Sequence, residues 1–413
     1  MALAAPDPVF TDRDALLADR RNGKPWPGTG GTLRNLVPGE WRQIPGTPGD
    51  GAAMARDLWR SRARHAWRRK IGASPPQDPP MTAHRALHLV ARPEGLPKDS
   101  DFELRHGSLA APAEGQFRVA VRYLSIDPAM RVWMSEQKSY WPPVALGEVM
   151  RAAAIGEVVE SHHPRFPVGA WVSGMLGVQD GLVSDGKGLR AFDPRALPDP
   201  AWALSIFGGT GLTAWFGLTE IGKPKAGETL VVSAAAGAVG STVVQIGKNL
   251  GCRVVGIAGG ADKCAFVRDE LGADGVIDYK HEKVGDALKA LCPDGIDVYF
   301  DNVGGEILDA VLKRLRLHAR IVLCGGISQY NATGETRGPA NYLSLISARG
   351  RMEGFVIIDY LDRSAEAVAA MAPWVQAGKL KSRIDVVEGL EQFPTALRRV
   401  YTGANFGKQL VRL

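Results

Sequence analysis

The sequence predicts an α/β fold: a doubly wound parallel sheet beside a second, mostly β domain. Three observations predict it. Between residues 206 and 370 short apolar runs alternate with helix-length segments, the pattern of a parallel sheet covered on both faces. One of these runs passes through the turn "AAAGAVG", 234–240, directly into a helical period. Residues 81–205 instead hold period-two runs separated by glycine and proline turns, which read as strands.

Residues 1–80 come first, rich in proline and arginine. Pieces such as "GKPWPGTGGT" and "IGASPPQDPP" bury little, so this extension is expected to be disordered. It is either a tail or translated sequence ahead of a natural start at Met81, with a targeting or tethering role as the alternative. No apolar core with a small-residue cleavage site marks a secretory signal. The extension holds 13 Lys and Arg against 8 Asp and Glu, much of the excess in "RDLWRSRARHAWRRK", so the remaining 333 residues carry only +1 of the net charge of +6. A body so near neutral argues against a nucleic-acid binder.

From Met81, "RALHLVARPEG", "GQFRVAVRYLSIDPAM", "MRAAAIGEVVES" and "VGAWVSGMLGVQD" supply the β domain, 81–205. In 206–370 strands are expected at 229–234, 253–257, 275–278, 297–301 and 320–324, with helices at 238–250, 262–271 and 307–315 among the segments between them. Right-handed crossovers follow from such units. The last segment, 371–413, ends in the strand-like "GKQLVRL" and is expected to return to the β domain, closing a cleft between the two. The composition, 45% hydrophobic and 23% charged, is that of an ordinary globular protein, and no run of eighteen apolar residues exists. The four cysteines, Cys252, Cys264, Cys292 and Cys324, are too sparse for a disulfide scaffold, which fits a reducing, cytoplasmic setting.

Within "AAAGAVG" the small residues fall at Ala234, Gly237 and Gly240, with alanine where the commoner dinucleotide fingerprint has its first glycine. Gly237 lets the backbone approach a pyrophosphate, Gly240 lets the helix pack on the strand, and the amides at the helix start, Ala238 and Val239 among them, face the anion. About twenty residues on, an NAD site offers Asp or Glu to the ribose 2′-hydroxyl. Here the chain reads "GIAGGADK": Gly259 and Gly260 stand at the place for the acid, and Lys263 follows. Asp262 is close, but at a helix start its ordinary role is capping. An ammonium suits a 2′-phosphate, so NADPH is expected rather than NADH; a plain solvated lysine is the alternative for Lys263.

A catalytic zinc is disfavoured, because all four cysteines lie beyond Gly251 and the β-domain histidines, His84, His88, His106, His162 and His163, have no ligand-like spacing. That leaves hydride transfer assisted by a hydroxyl or by the backbone. Tyr330 in "LCGGISQYN" stands beyond the end of an expected strand, where ligands of such sheets bind, and a phenol there can donate to an oxygen gaining negative charge. The alternatives for Tyr330 are an aromatic lining the cleft or a contact to the coenzyme ribose. Asn302 in "YFDNVGGE" either holds the nicotinamide side of the coenzyme or caps the next helix.

These blocks, with "LSIDPAMR", "GLTAWFGLTEIGKPKAGETLVVS", "IDYK", "PDGIDVYFDNVGGEILD", "RMEGFVIIDY" and "NFGK", resemble the zinc-free branch of the medium-chain dehydrogenase/reductases, and within it the NADP-dependent alkenal/enone reductases. The resemblance runs from about Met81 to Leu413. It implies a Rossmann-type domain with a GroES-like β domain. Gly237, Ala238, Val239 and Gly240 would form the pyrophosphate loop, and Lys263 and Tyr279 would surround the 2′-phosphate. Asn302, Cys324, Gly325, Ile327, Ser328, Tyr330, Phe355 and Asn405 would complete the coenzyme shell, with Tyr330 near the substrate carbonyl oxygen. It also implies a homodimer. The chain departs at Ala129, where the family has tyrosine in "DPYMR", and at Gly209 and Thr210, where many members have Met-Pro; both bear on substrate identity. The implied reaction is NADPH-dependent reduction of the double bond of an α,β-unsaturated aldehyde or ketone. Quinone reduction and a non-catalytic NADPH-binding scaffold stay open beside it.

Overall fold

The computed structural model describes residues 81–413 apart from Lys138; the extension expected to be disordered, residues 1–80, lies outside the described residues. Strands β1 (Thr82–Leu89) and β2 (Phe102–Leu109) form an antiparallel pair. β3 (Phe117–Ser125), β4 (Ala153–Ser161), β5 (Trp171–Met175), β6 (Gly181–Ser184) and β7 (Arg190–Phe192) belong to a seven-stranded sheet. In β3, Phe117, Val119 and Val121 are buried while Arg118 and Arg122 point away, toward Glu160 and Glu157 of β4. Period two places the apolar set on one face and fixes the register.

β8 (Thr229–Ser233), β9 (Arg253–Ala258), β10 (Gly275–Asp278), β11 (Ile296–Asp301), β12 (Leu315–Leu323) and β13 (Arg351–Gly354) form a parallel sheet in the order β10-β9-β8-β11-β12-β13. Leu230, Val232, Val254, Val298 and Phe300 pack on one face, and Val231, Val255, Ile257 and Tyr299 on the other. Both faces are therefore dry, which is why these strands read as unbroken apolar runs. The strand order reverses between β8 and β11, and that reversal opens a crevice beyond their carboxyl ends.

The helix Ser364–Gln376 buries Ala367 and Met371 in the core of this parallel sheet. The chain then forms β14 (Ile384–Glu388), the helix Phe393–Thr402 and β15 (Lys408–Arg412), which pairs parallel with β14 and antiparallel with β3. "GKQLVRL" thus returns to the first sheet. Strand 275–278 lies where the sequence puts it, whereas β12 begins at Leu315, so the helix expected at 307–315 ends at Leu312. The first half of β12 is largely exposed and carries no apolar run to reveal it. The segment expected as one helix, 262–271, is a helix at Ala261–Ala265 that widens into a π turn at Phe266–Glu270. Among the described residues no helix is long and apolar enough to cross a membrane.

Candidate active site

At the end of β8 the chain turns through Ala234, whose φ of +48° lies in the left-handed region. Gly237 then caps the helix Ala238–Asn249 with no side-chain hydrogen bond. The amides of Ala238, Val239 and Gly240 open this helix and have no partner within it, so the turn presents unpaired donors and the positive end of the helix dipole. A Cβ on Gly240 would stand 2.2 Å from the Ala234 carbonyl oxygen, so only glycine lets helix and turn approach this closely.

The rim lies at the end of β9. A Cβ on Gly259 would fall 2.7 Å from the Tyr279 ring, so the place where an NAD site carries its acid is filled by an aromatic face. Lys263 Nζ donates to the Gly403 carbonyl at 2.7 Å. Burial, then the charge of nearby Lys280, lowers the Lys263 pKa. Asp278 is the neighbouring carboxylate, and it is occupied: Oδ1 accepts from the amides of Gly260 at 2.9 Å and Lys280 at 3.1 Å, and Oδ2 pairs with His281 at 2.8 Å. The Gly260 amide is the leading reason its pKa is lowered. Glycine, an aromatic ring and two lysines fit a phosphorylated ribose.

Across the switch point, Asn302 donates from its side chain to the Ser233 carbonyl at 2.8 Å and from its backbone to Ser233 Oγ at 2.9 Å, tying β11 to β8. Asp301 Oδ1 accepts from the Val303 and Gly304 amides, both at 2.9 Å, and from Tyr299 Oη at 2.8 Å, while the next helix, Gly305–Leu312, starts from Gly304 with no side-chain cap. Asp301 is fully buried and its Oδ2 has no partner; desolvation raises its pKa. The loop after β12 closes on this turn: Cys324 and Gly325 donate to the Asp301 carbonyl, Ile327 to Asn302 and Ser328 to Val303. Burial, with Asp301 second, pushes the Cys324 thiol up to about 12. Tyr330 Oη accepts from the Gly326 amide at 3.1 Å, and burial raises its pKa.

The Phe355 ring is partly buried against the core, edge-on to Phe300 and against Gly217. Asn405 Nδ2 donates to the Gly407 carbonyl at 2.9 Å, shaping the bend whose Gly407 amide donates to the Ala236 carbonyl in the turn after β8. Ala129 and Tyr401 of the β domain and Ile327 of the loop after β12 pack against one apolar cluster, and Tyr401 Oη donates to the Pro128 carbonyl at 3.1 Å. Tyr140, bonded to Trp133 Nε1 at 3.2 Å, lies near enough to influence the ionisation of Tyr330.

Residues 85–192 match the family model for the N-terminal domain of oxidoreductase, and residues 238–375 the model for zinc-binding dehydrogenase. The chain is 44% identical over 335 residues to an NADPH-dependent curcumin reductase of Escherichia coli, covering 80% of this chain and 97% of that one. It is 41% identical over 323 residues to an NADP-dependent 2-alkenal reductase of Nicotiana tabacum, covering 77% and 94%. The chain belongs to the medium-chain dehydrogenase/reductases, among their NADP-dependent alkenal/enone reductases. The crystal structure of CurA from Vibrio vulnificus in complex with NADPH superposes with a TM-score of 0.76 at 45% identity, covering 79% of this chain and 98% of that one.

For a dehydrogenase/reductase of this family, the described residues contain no group of three or more His, Cys, Asp or Glu placed to hold a metal ion. Sequence reasoning missed Asp301 and Ser233, which organise the switch point, and Asp278, which fixes the rim. The available signal was position: each closes or adjoins a strand at its carboxyl end.

Proposed function

We propose that the protein reduces the carbon–carbon double bond of α,β-unsaturated aldehydes and ketones with NADPH. The observation that carries this reading is the Tyr330 hydroxyl. The Gly326 amide occupies one lone pair, which leaves the phenolic proton free to donate into the crevice. Burial keeps the phenol neutral, the form that can donate.

NADPH, when bound, supplies the hydride for the β-carbon. Gly237, Ala238, Val239 and Gly240 would hold its pyrophosphate, and Lys263 and Tyr279 its 2′-phosphate. Asn302, Cys324, Gly325, Ile327, Ser328 and Asn405 would line the rest, with Phe355 supporting them from the core. Tyr330 donates to the carbonyl oxygen as enolate charge gathers there, and solvent or the same hydroxyl protonates the α-carbon. Initial rates of NADPH oxidation with an enal, an enone and a quinone test the reading. The expected result is enone-dependent oxidation with a saturated product. Rates confined to the quinone would replace the reading with quinone reduction, and no acceptor-dependent rate would leave a scaffold.

The same reading includes a homodimer and a cytoplasmic setting. Leu317, Tyr342, Leu343 and Ile346 are exposed beside β13, the last strand of its sheet. Antiparallel pairing of two β13 strands about Met352 would set Arg351 of one copy opposite Glu353 of the other. A solution mass of one chain would refute the dimer. Four free cysteines support a reducing compartment.

A further inference from the structure

Lys408, the first residue of β15, is 1% exposed, and its ammonium donates to Asp127 Oδ1 at 2.6 Å and to the Ile126 carbonyl at 3.1 Å. Asp127 Oδ2 accepts from the Ser125 hydroxyl at 2.5 Å. A buried ion pair gives little net stability over apolar residues of equal volume, so stability alone does not account for it.

Its surroundings do. The segment carrying Lys408 touches both sides of the crevice. On one side the Gly407 amide donates to Ala236 in the pyrophosphate turn at 3.1 Å. On the other, the Ile126 amide donates to the Gln409 carbonyl at 3.2 Å, and Tyr401 donates to Pro128. The turn so held, 126–130, carries Ala129, which shares an apolar cluster with Ile327 of the Tyr330 loop.

We propose that the Lys408–Asp127 pair is a positioning device that fixes the turn 126–130, the acceptor wall, to the segment seated on the pyrophosphate turn. Acceptor and coenzyme are thereby held at one spacing. A displacement of the order of 1 Å in such a wall lowers the rate by about 10²-fold, which is why a charge is worth burying here. The inference rests on the proposed enone reduction for its activity readout alone.

Lys408→Met and Asp127→Asn, made singly and together, test it. Lys408→Met alone leaves a partly buried carboxylate uncompensated and lowers stability whatever the role of the pair; the double variant removes both charges and is expected to unfold near the wild-type temperature. In the double variant the kcat with an enone should fall by about 10²-fold, while the NADPH Kd stays within about twofold. Hydrogen exchange in 126–134 should quicken at least about tenfold, with 229–245 unchanged. A double variant with wild-type kcat and wild-type exchange in 126–134 would overturn the proposal. If the wild-type protein turned over no enone, the proposed reaction would fall, and exchange would still decide the role of the pair.

Discussion

Replacing Tyr330 by phenylalanine removes one oxygen from the crevice and little else. The loop that carries it stays bonded, because Gly325, Ile327 and Ser328 still donate to the carbonyls of Asp301, Asn302 and Val303. The Gly326 amide loses its acceptor, a loss of about 1 kcal/mol in stability. Losing one donor to a developing oxyanion lowers kcat by about 10²–10³-fold, or about 2.7–4 kcal/mol. The assay pairs stopped-flow NADPH oxidation with an enone against NADPH affinity by fluorescence, expected to change by less than about twofold, since a transition-state donor acts on kcat. The alkaline limb gives a second check. Burial raises the Tyr330 pKa, so the folded state holds this proton more tightly than the unfolded chain. The hydroxyl's contribution is whole below about pH 10 and is lost as pH rises through the higher folded value, so wild-type turnover should show no phenol ionisation below about pH 10. Turnover of the phenylalanine variant within about threefold of wild type would remove Tyr330 from the chemistry.

Lys263→Glu should weaken NADPH by about 10²-fold and NADH by less than about twofold, because it sets a carboxylate beside the 2′-phosphate; coenzyme titrations decide, and equal losses would refute the rim. Since the Lys263 pKa is lowered, the wild-type preference for NADPH should fade with rising pH earlier than an ordinary lysine allows. Ala234→Gly relieves a left-handed alanine, a strain of about 1–2 kcal/mol partly offset by glycine's entropy; melting should rise by about 1–3 °C, and a fall would show that the turn is unstrained. Asp301→Ala leaves the Val303 and Gly304 amides and the Tyr299 hydroxyl without an acceptor in a fully buried place, which should remove at least about 3 kcal/mol of stability in urea titration; a loss below about 1 kcal/mol would show the network to be dispensable.

What the sequence made legible was whatever repeats locally. The runs at β8, β9 and β11 are buried on both faces, so their apolar residues are consecutive and their helices fall between them. The turn at Gly237 and the missing acid at Gly259 are legible because each is a backbone requirement written in a single residue. β13 was not, since "RMEG" is a largely exposed edge with no apolar pattern. Asp301 was not legible either, since its hold on the Val303 and Gly304 amides depends on burial, which no spacing encodes.

The Lys408–Asp127 pair shows where such reading stops. Inside "GKQLVRL" the lysine looks like the polar start of a strand, and its partner lies 281 positions earlier. A lone charge within a run that otherwise buries is a mark of a distant opposite charge, since an unpaired ammonium there would shift its proton equilibrium or break the fold. β15 joins β3 edge to edge, and that pairing, fixed by Leu410 and Val411 against Leu124 and Ser125, sets the lysine over the turn that follows β3. The turn 126–130 is therefore tied to the last strand of the chain, and its charge partner arrives through sheet register rather than through any motif.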